Sequence, residues 1–210
     1  MGTGYSYCNG CSVANLLSNA TNNDQTYWWG DGYISGSAGL CSIAVTAEQN
    51  IQKANVPNSG VIQAGMILPL ITNEDCPACN AAVQYCTDAS CSNVCSCQNT
   101  DGTGYGMAQI TPPYYSHLQD LIDYGLAPSS VLKPNGSYNY CPLLASVNKN
   151  GPLWSLEAVA IHIAKYMSSG FSTQNLWNAY YAWNGSGTLA EQYANCTLNA
   201  YNAEPHPCAE

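Results

Sequence analysis

Glu74 closes the apolar run Ile67-Leu68-Pro69-Leu70-Ile71-Thr72-Asn73. A carboxyl delivered by an apolar helix to the floor of a cleft is partly stripped of water, so its charged form is penalised and it can hold a proton for use as a general acid. Only 8% of the residues are charged, which makes an acid in this setting a chemical candidate before it is surface decoration. The plainer alternative is that Glu74-Asp75 forms a charged corner where a helix ends. Glycoside cleavage needs such an acid to protonate the departing oxygen. It also needs water, a nucleophile or an internal hydroxyl to meet the oxocarbenium-like carbon. In Gly104-Tyr105-Gly106-Met107-Ala108-Gln109-Ile110 two glycines let the backbone turn sharply and approach a ligand without Cβ interference. No Ser-His-Asp or Cys-His order suggests nucleophilic hydrolysis, and no Gly-rich phosphate loop follows a strand.

Glu74, the Gly-Tyr-Gly segment and Ala182-Trp183-Asn184-Gly185-Ser186-Gly187 follow one another in an order that resembles lytic transglycosylases and goose-type lysozymes. The resemblance covers roughly residues 56–203. Departures from the family pattern are Asp75 for Ser, Ala108 for Met, Trp183 for Tyr and Gly185 for Ala. The resemblance implies a lysozyme-like fold and action on the β-1,4-linked amino-sugar polymer of peptidoglycan. Glu74 would be the catalytic acid. Asp101 stands near the place of the second acid of goose-type lysozymes, although Asp101-Gly102 is also an ordinary turn, and Asp75 is another candidate. Tyr105, Gly106 and Gln109 would line the groove, with Asp75, Tyr181, Trp183 and Asn184 beside it. Of Tyr180, Tyr181 and Trp183, one is expected to face the cleft and the others to pack in the core.

Composition bounds the partners. Four Lys, no Arg and a net charge of −9 disfavour nucleic acid and anionic membranes, which both need clustered cations. Tyr, Asn, Ser, Thr and Gly then cover much of the surface and suit neutral sugars. A polysaccharide is the expected partner. Self-assembly belongs to the alternative reading, a non-catalytic extracellular structural, filament, coat or carbohydrate-binding protein on the same fold, which sixteen Tyr, the low charge and the loss of Ser after Glu74 also fit.

The twelve cysteines are Cys8, Cys11, Cys41, Cys76, Cys79, Cys86, Cys91, Cys95, Cys97, Cys141, Cys196 and Cys208, an even count that reads as disulfides in an extracellular chain. The six from Cys76 to Cys97 are expected to pair mainly among themselves. Zinc is the rival, but His117, His162 and His206 lie at no ligand spacing beside them, so neither metal nor cofactor is expected. Sequons at Asn19, Asn135, Asn184 and Asn195 favour secretion, with glycan expected on Asn19, Asn135 or Asn195 and not on Asn184 beside the site. Met1-Gly2-Thr3 opens no basic and apolar targeting segment, so secretion implies a leader removed from the chain or outside it. The apolar stretch from Gly60 to Ile71 is too short to cross a bilayer.

The elements that must position these residues read as mainly α, in a lysozyme-like α+β arrangement. Residues 1–42 lack periodicity and suggest a disulfide-tied extension whose Trp28-Trp29 either packs on the main domain or offers a sugar platform. Residues 43–210 form the single domain, with a cysteine-rich insertion at 76–97. Thr46-Ala47-Glu48-Gln49 predicts a capped helix to about Ala54, and Ser59–Asn73 predicts the buried helix that carries Glu74. Further helices are expected over 114–124, 153–168 and 174–183, the second amphipathic through Leu156, Val159, Ala160, Ile163 and Met167. Thr188-Leu189-Ala190-Glu191 predicts the cap of a last helix, with Leu189, Tyr193, Cys196 and Ala200 on its inner side.

Overall fold

The structure is a computed structural model that describes residues 13, 14, 17, 36–79, 108, 110, 116–129 and 151–208. Its regular elements among these residues are helices, with α1 Gly36–Lys53, a short 3-10 turn Ser59–Val61, α2 Ala64–Cys79, α3 Ser116–Asp123, α4 Gly151–Lys165, α5 Thr173–Asn184 and α6 Thr188–Ala203. No strand occurs among the described residues, where Ile110 makes only an isolated bridge. No described helix is long and apolar enough to cross a membrane. The cysteine-rich segment beyond Cys79, the glycine motif apart from Ala108 and Ile110, and the Trp28-Trp29 pair lie outside the described residues.

Two helices form the interior. Every residue of α4 from Trp154 to Ala164 is buried, and so is every residue of α2 from Ala64 to Asn73. A helix apolar on all sides requires neighbours on all sides. Accordingly α4 packs against α1, α2, α3 and α5, while α6 covers α2 and pairs with α5 as a helical hairpin. The stripe expected on 153–168 is thus too narrow a description. Ser155, Glu157 and His162, which fill the gaps of that stripe, are buried too.

Local signals explain some boundaries and mislead at others. Ser172 caps α5 by accepting from the Asn175 backbone N–H at 3.1 Å. The helix expected to run to 168 and close at Gly170 ends instead at Lys165, and Gly170, at φ 89, makes a separate left-handed turn further on. The capping box at Thr46 does not start a helix: α1 already runs from Gly36, and the Thr46 hydroxyl donates to Ser42 O one turn back. Packing of Leu40, Ile43, Ala44, Ala47 and Ile51 sustains α1 across the supposed boundary at residue 42. The expected helix over 59–73 is divided, with the 3-10 turn and extended Ile62 before α2. At its other end α2 continues through Glu74 to Cys79, so the first residues assigned to an irregular insertion are helical. The cap of α6 is Gly187 and not Thr188, and Leu189 is exposed while Ala190 and Ala194 turn inward.

The C-terminal tail locks onto this core. Cys41 and Cys208 form a disulfide, and the tail crosses Gly65 so closely that a Cβ there would lie 1.9 Å from Pro205 O. Cys196 is also disulfide-bonded.

Candidate functional site

Glu74 sits in the last third of α2, after ten consecutive buried residues, and it keeps a partly exposed edge. Two donors reach the same carboxyl oxygen: the Tyr193 hydroxyl at 2.8 Å from Oε1 and the Trp183 indole N–H at 3.1 Å. They come from α6 and α5, so the carboxyl stands where three helices meet. No other hydrogen bond to Glu74 is found among the described residues. With Oε1 committed as acceptor, Oε2 is the oxygen placed to carry a proton.

Burial raises the Glu74 pKa to about 7, and the hydrogen bonds from Tyr193 and Trp183 restrain the rise because they favour the charged form. The carboxyl is therefore about half protonated near neutrality. That is the state a general acid needs.

The partners are themselves held by a polar seam between α2 and α6. Asn73 donates to Thr197 Oγ1 at 2.5 Å and to Tyr193 O at 3.4 Å, and the Thr197 hydroxyl donates to Tyr193 O at 2.9 Å. Tyr180, buried on α5, donates to Met66 O of α2 at 2.8 Å. These bonds fix the rotation and height of α5 and α6 against the helix that carries the acid. The indole of Trp183 is braced by two imidazoles, with ring centroids 4.5 Å from His117 and 5.1 Å from His162. His162 meets Ala179 O at 2.8 Å, which assigns its Nε2 as the donor, since a carbonyl can only accept. Burial lowers the pKa of His162 to about 3 and that of His117 to about 4. Both rings are neutral at ordinary pH and act as packing around the indole.

Of the residues marked by sequence, the structure brings Glu74 and Trp183 into contact. Of the three aromatic residues near the end of α5, Trp183 reaches the carboxyl and Tyr180 is core. Tyr181 stacks on Trp177 at 5.1 Å and accepts from the Gly187 N–H at 3.0 Å, which ties down the turn between α5 and α6. Asn184 is the half-buried last residue of α5. Asp75 lies on α2, its side chain outside the described set, and Asp101, Tyr105, Gly106 and Gln109 also lie outside the described residues. Asn195 is exposed on α6, whereas Asn19 and Asn135 are not among the described residues. Sequence reasoning missed Tyr193 as a partner of the acid. It also missed Glu157, although a lone carboxylate inside the apolar run of α4 carries the same signal that marked Glu74.

No group of three or more His, Cys, Asp or Glu able to hold a metal ion occurs among the described residues. Comparison of the chain with protein-family models, with curated proteins and with solved structures returns no match.

Proposed function

We propose that this protein is a secreted glycoside-cleaving enzyme that acts on the β-1,4 glycan of peptidoglycan, with Glu74 as its single general acid. The observation that carries the proposal is the carboxyl of half-buried Glu74 at the end of a buried stretch, held by Tyr193 and Trp183 on one oxygen and raised by burial to about 7. Protonated Glu74 gives its Oε2 proton to the glycosidic oxygen as the C1–O bond breaks, which leaves a carboxylate and an oxocarbenium-like sugar. Attack by water, with Asp101 as base, forms a reducing end. Attack by the muramyl 6-hydroxyl, with Glu74 recovering the proton, forms a 1,6-anhydro sugar. The neutral, aromatic-rich surroundings suit an uncharged saccharide.

The test is Glu74→Gln, whose amide fills the same space and cannot donate the required proton. The variant should fold as the wild type and lose cell-wall lysis, and undiminished lysis removes Glu74 from the mechanism. Reducing-end and anhydro-product analysis of Asp101→Asn separates the two routes.

A second reading, a structural, coat or carbohydrate-binding protein without turnover, is favoured by one feature: the bonds to Glu74 Oε1 also join α2, α5 and α6. On that reading the wild type has no lytic activity at any pH, and Glu74→Gln changes stability alone.

A further inference from the structure

Trp177 and Tyr181 stand about one turn apart on α5 and stack with their ring planes 14° apart and their centroids 5.1 Å apart. Rings pressed face to face stand about 3.5–4.0 Å apart. The longer centroid distance means that the two are slid sideways, so each leaves part of its face uncovered. Both side chains pack against the core and are half-buried. The Trp177 indole N–H donates to Asn195 Oδ1 at 2.8 Å, and the Tyr181 hydroxyl accepts from the Gly187 N–H at 3.0 Å. The hydroxyl's own hydrogen has no acceptor among the described residues.

Asn195 opens the sequon Asn195-Cys196-Thr197 and is exposed on α6. A sugar on its Nδ2 turns the side-chain group into a secondary amide, which strongly prefers the trans form. In that form the first sugar carbon lies on the same side of the C–N bond as Oδ1, just as the next Cα lies beside a peptide oxygen. Oδ1 is the atom that Trp177 holds. The sugar therefore leaves the amide on the side of the indole.

We propose that the Trp177–Tyr181 stack is the seat of a glycan on Asn195, whose first sugar lies over the uncovered ring surface and ties α6 to α5. The apolar face of a pyranose suits an aromatic ring, and its oxygens can accept the spare Tyr181 hydrogen. An attached sugar also reaches the rings without the loss of translational freedom that a free ligand meets. A second copy of the chain is a poorer occupant, because two half-buried rings offer far less than the roughly 800 Å² that each partner buries in a stable interface. Occupancy depends on secretion, which the proposed function includes, and not on the chemistry assigned to Glu74.

The test uses the full chain with Asn19→Gln, Asn135→Gln and Asn184→Gln, so that Asn195 is the only sequon left. It is made in a glycosylating host and in an oxidising host that lacks the transferase, and part of the glycosylated sample is trimmed to a single N-acetylglucosamine. In urea, both sugar-bearing forms should have an unfolding equilibrium constant about three- to tenfold lower than the bare chain, the range of an aromatic contact. Trimming should change it little. Trp177→Leu should remove the difference, and Tyr181→Leu should reduce it. NMR of the trimmed form should show sugar protons shifted upfield by the indole, a readout that remains if Trp177→Leu does not fold. An unoccupied Asn195, equal stability with and without the sugar, an undiminished difference in Trp177→Leu, or sugar protons at the positions of an unstructured glycopeptide overturns the assignment. None of these measurements involves wall lysis, so failure here and failure of Glu74 as an acid are distinguishable.

Discussion

Tyr193 donates its phenol proton to Oε1 of Glu74 across 2.8 Å, joining residues 119 positions apart. The bond works against the effect that makes Glu74 an acid. Burial favours the protonated carboxyl, while a donor to Oε1 favours the carboxylate, and the balance stands at about 7. Tyr193 and Trp183 therefore act as tuning partners as well as positioning ones.

Removing either donor should raise the Glu74 pKa further. In Tyr193→Phe and Trp183→Phe, the limb on which activity falls with rising pH should move upward by about one unit, since a hydrogen bond to a charged group contributes roughly 1.5–3 kcal/mol and one unit corresponds to about 1.4 kcal/mol. The pH dependence of wall lysis measures this, with kcat and KM followed separately. A downward move in both variants would show that these bonds do not favour the carboxylate.

Stability should carry the signature of two buried glutamates. Burial lifts Glu157 from 4.5 to about 7, and the Asn50 bond only partly opposes it. A carboxyl whose pKa is higher in the folded chain binds its proton more tightly there, so its stabilising contribution is complete below about 4.5 and is lost as pH rises through about 7. The loss attributable to Glu157, which is almost wholly buried, is up to about 3 kcal/mol. Glu157→Gln should accordingly flatten the decline between pH 4.5 and 8 in urea unfolding. Glu74 titrates over the same window and should leave a residual slope, which Glu74→Gln removes. An unchanged slope in the double variant would assign the pH dependence to other groups.

Much of the helical frame could be read from periodicity, because α3, α5 and α6 bury one face and expose the other. Two features escaped for different physical reasons. The Gly36-Ser37-Ala38-Gly39 start of α1 has poor helix propensity, and only tertiary contacts made by Leu40, Ile43 and Ala44 sustain it. Thr46-Ala47-Glu48-Gln49 then imitates a capping box inside a helix, with Thr46 bonded back to Ser42 and Glu48 accepting from the Ala64 N–H at 3.0 Å to fix the start of α2. The acid of the candidate site was legible because Glu74 interrupts an apolar run. Its partner Tyr193 was not, since nothing local to α6 distinguishes a tyrosine that meets a distant carboxylate from one that fills the core.

Asn195 and Asn184 should differ in modification. Asn195 is exposed on α6 and accepts the Trp177 indole N–H through Oδ1 at 2.8 Å, an interaction that a glycan on Nδ2 leaves in place. Thr197, which completes its sequon, is wholly buried with its hydroxyl bonded inside the α2–α6 seam. Transfer to Asn195 should therefore precede folding. Glycopeptide mass spectrometry of material from a glycosylating host should show Asn195 occupied and half-buried Asn184 unmodified, and a transferase acting on folded, unglycosylated protein should fail at both. Occupancy of Asn184 would separate the segment after Trp183 from the candidate site.

Gly65 and the Cys41–Cys208 disulfide should prove energetically dependent. An alanine Cβ at Gly65 would stand 1.9 Å from Pro205 O and 2.9 Å from Pro205 C, contacts that only movement of the tail can relieve. Two residues beyond Pro205, the chain meets Pro207, whose O lies 3.7 Å from Cys41 Sγ, and Cys208 then fastens the tail to α1. With the disulfide intact the tail cannot lift freely, so Gly65→Ala should cost about 1–3 kcal/mol as an overpacking change. Without it the tail can move off α2 and most of that cost should vanish, although the chain loses the stability that the cross-link supplies. Urea unfolding of Gly65→Ala, of Cys41→Ser with Cys208→Ser, and of all three changes together closes a double-mutant cycle. The expected coupling is about 1 kcal/mol or more, with the triple variant more stable than additivity requires. Strict additivity would mean that the clash at Gly65 is relieved within α2 and that the disulfide does not hold the tail against it.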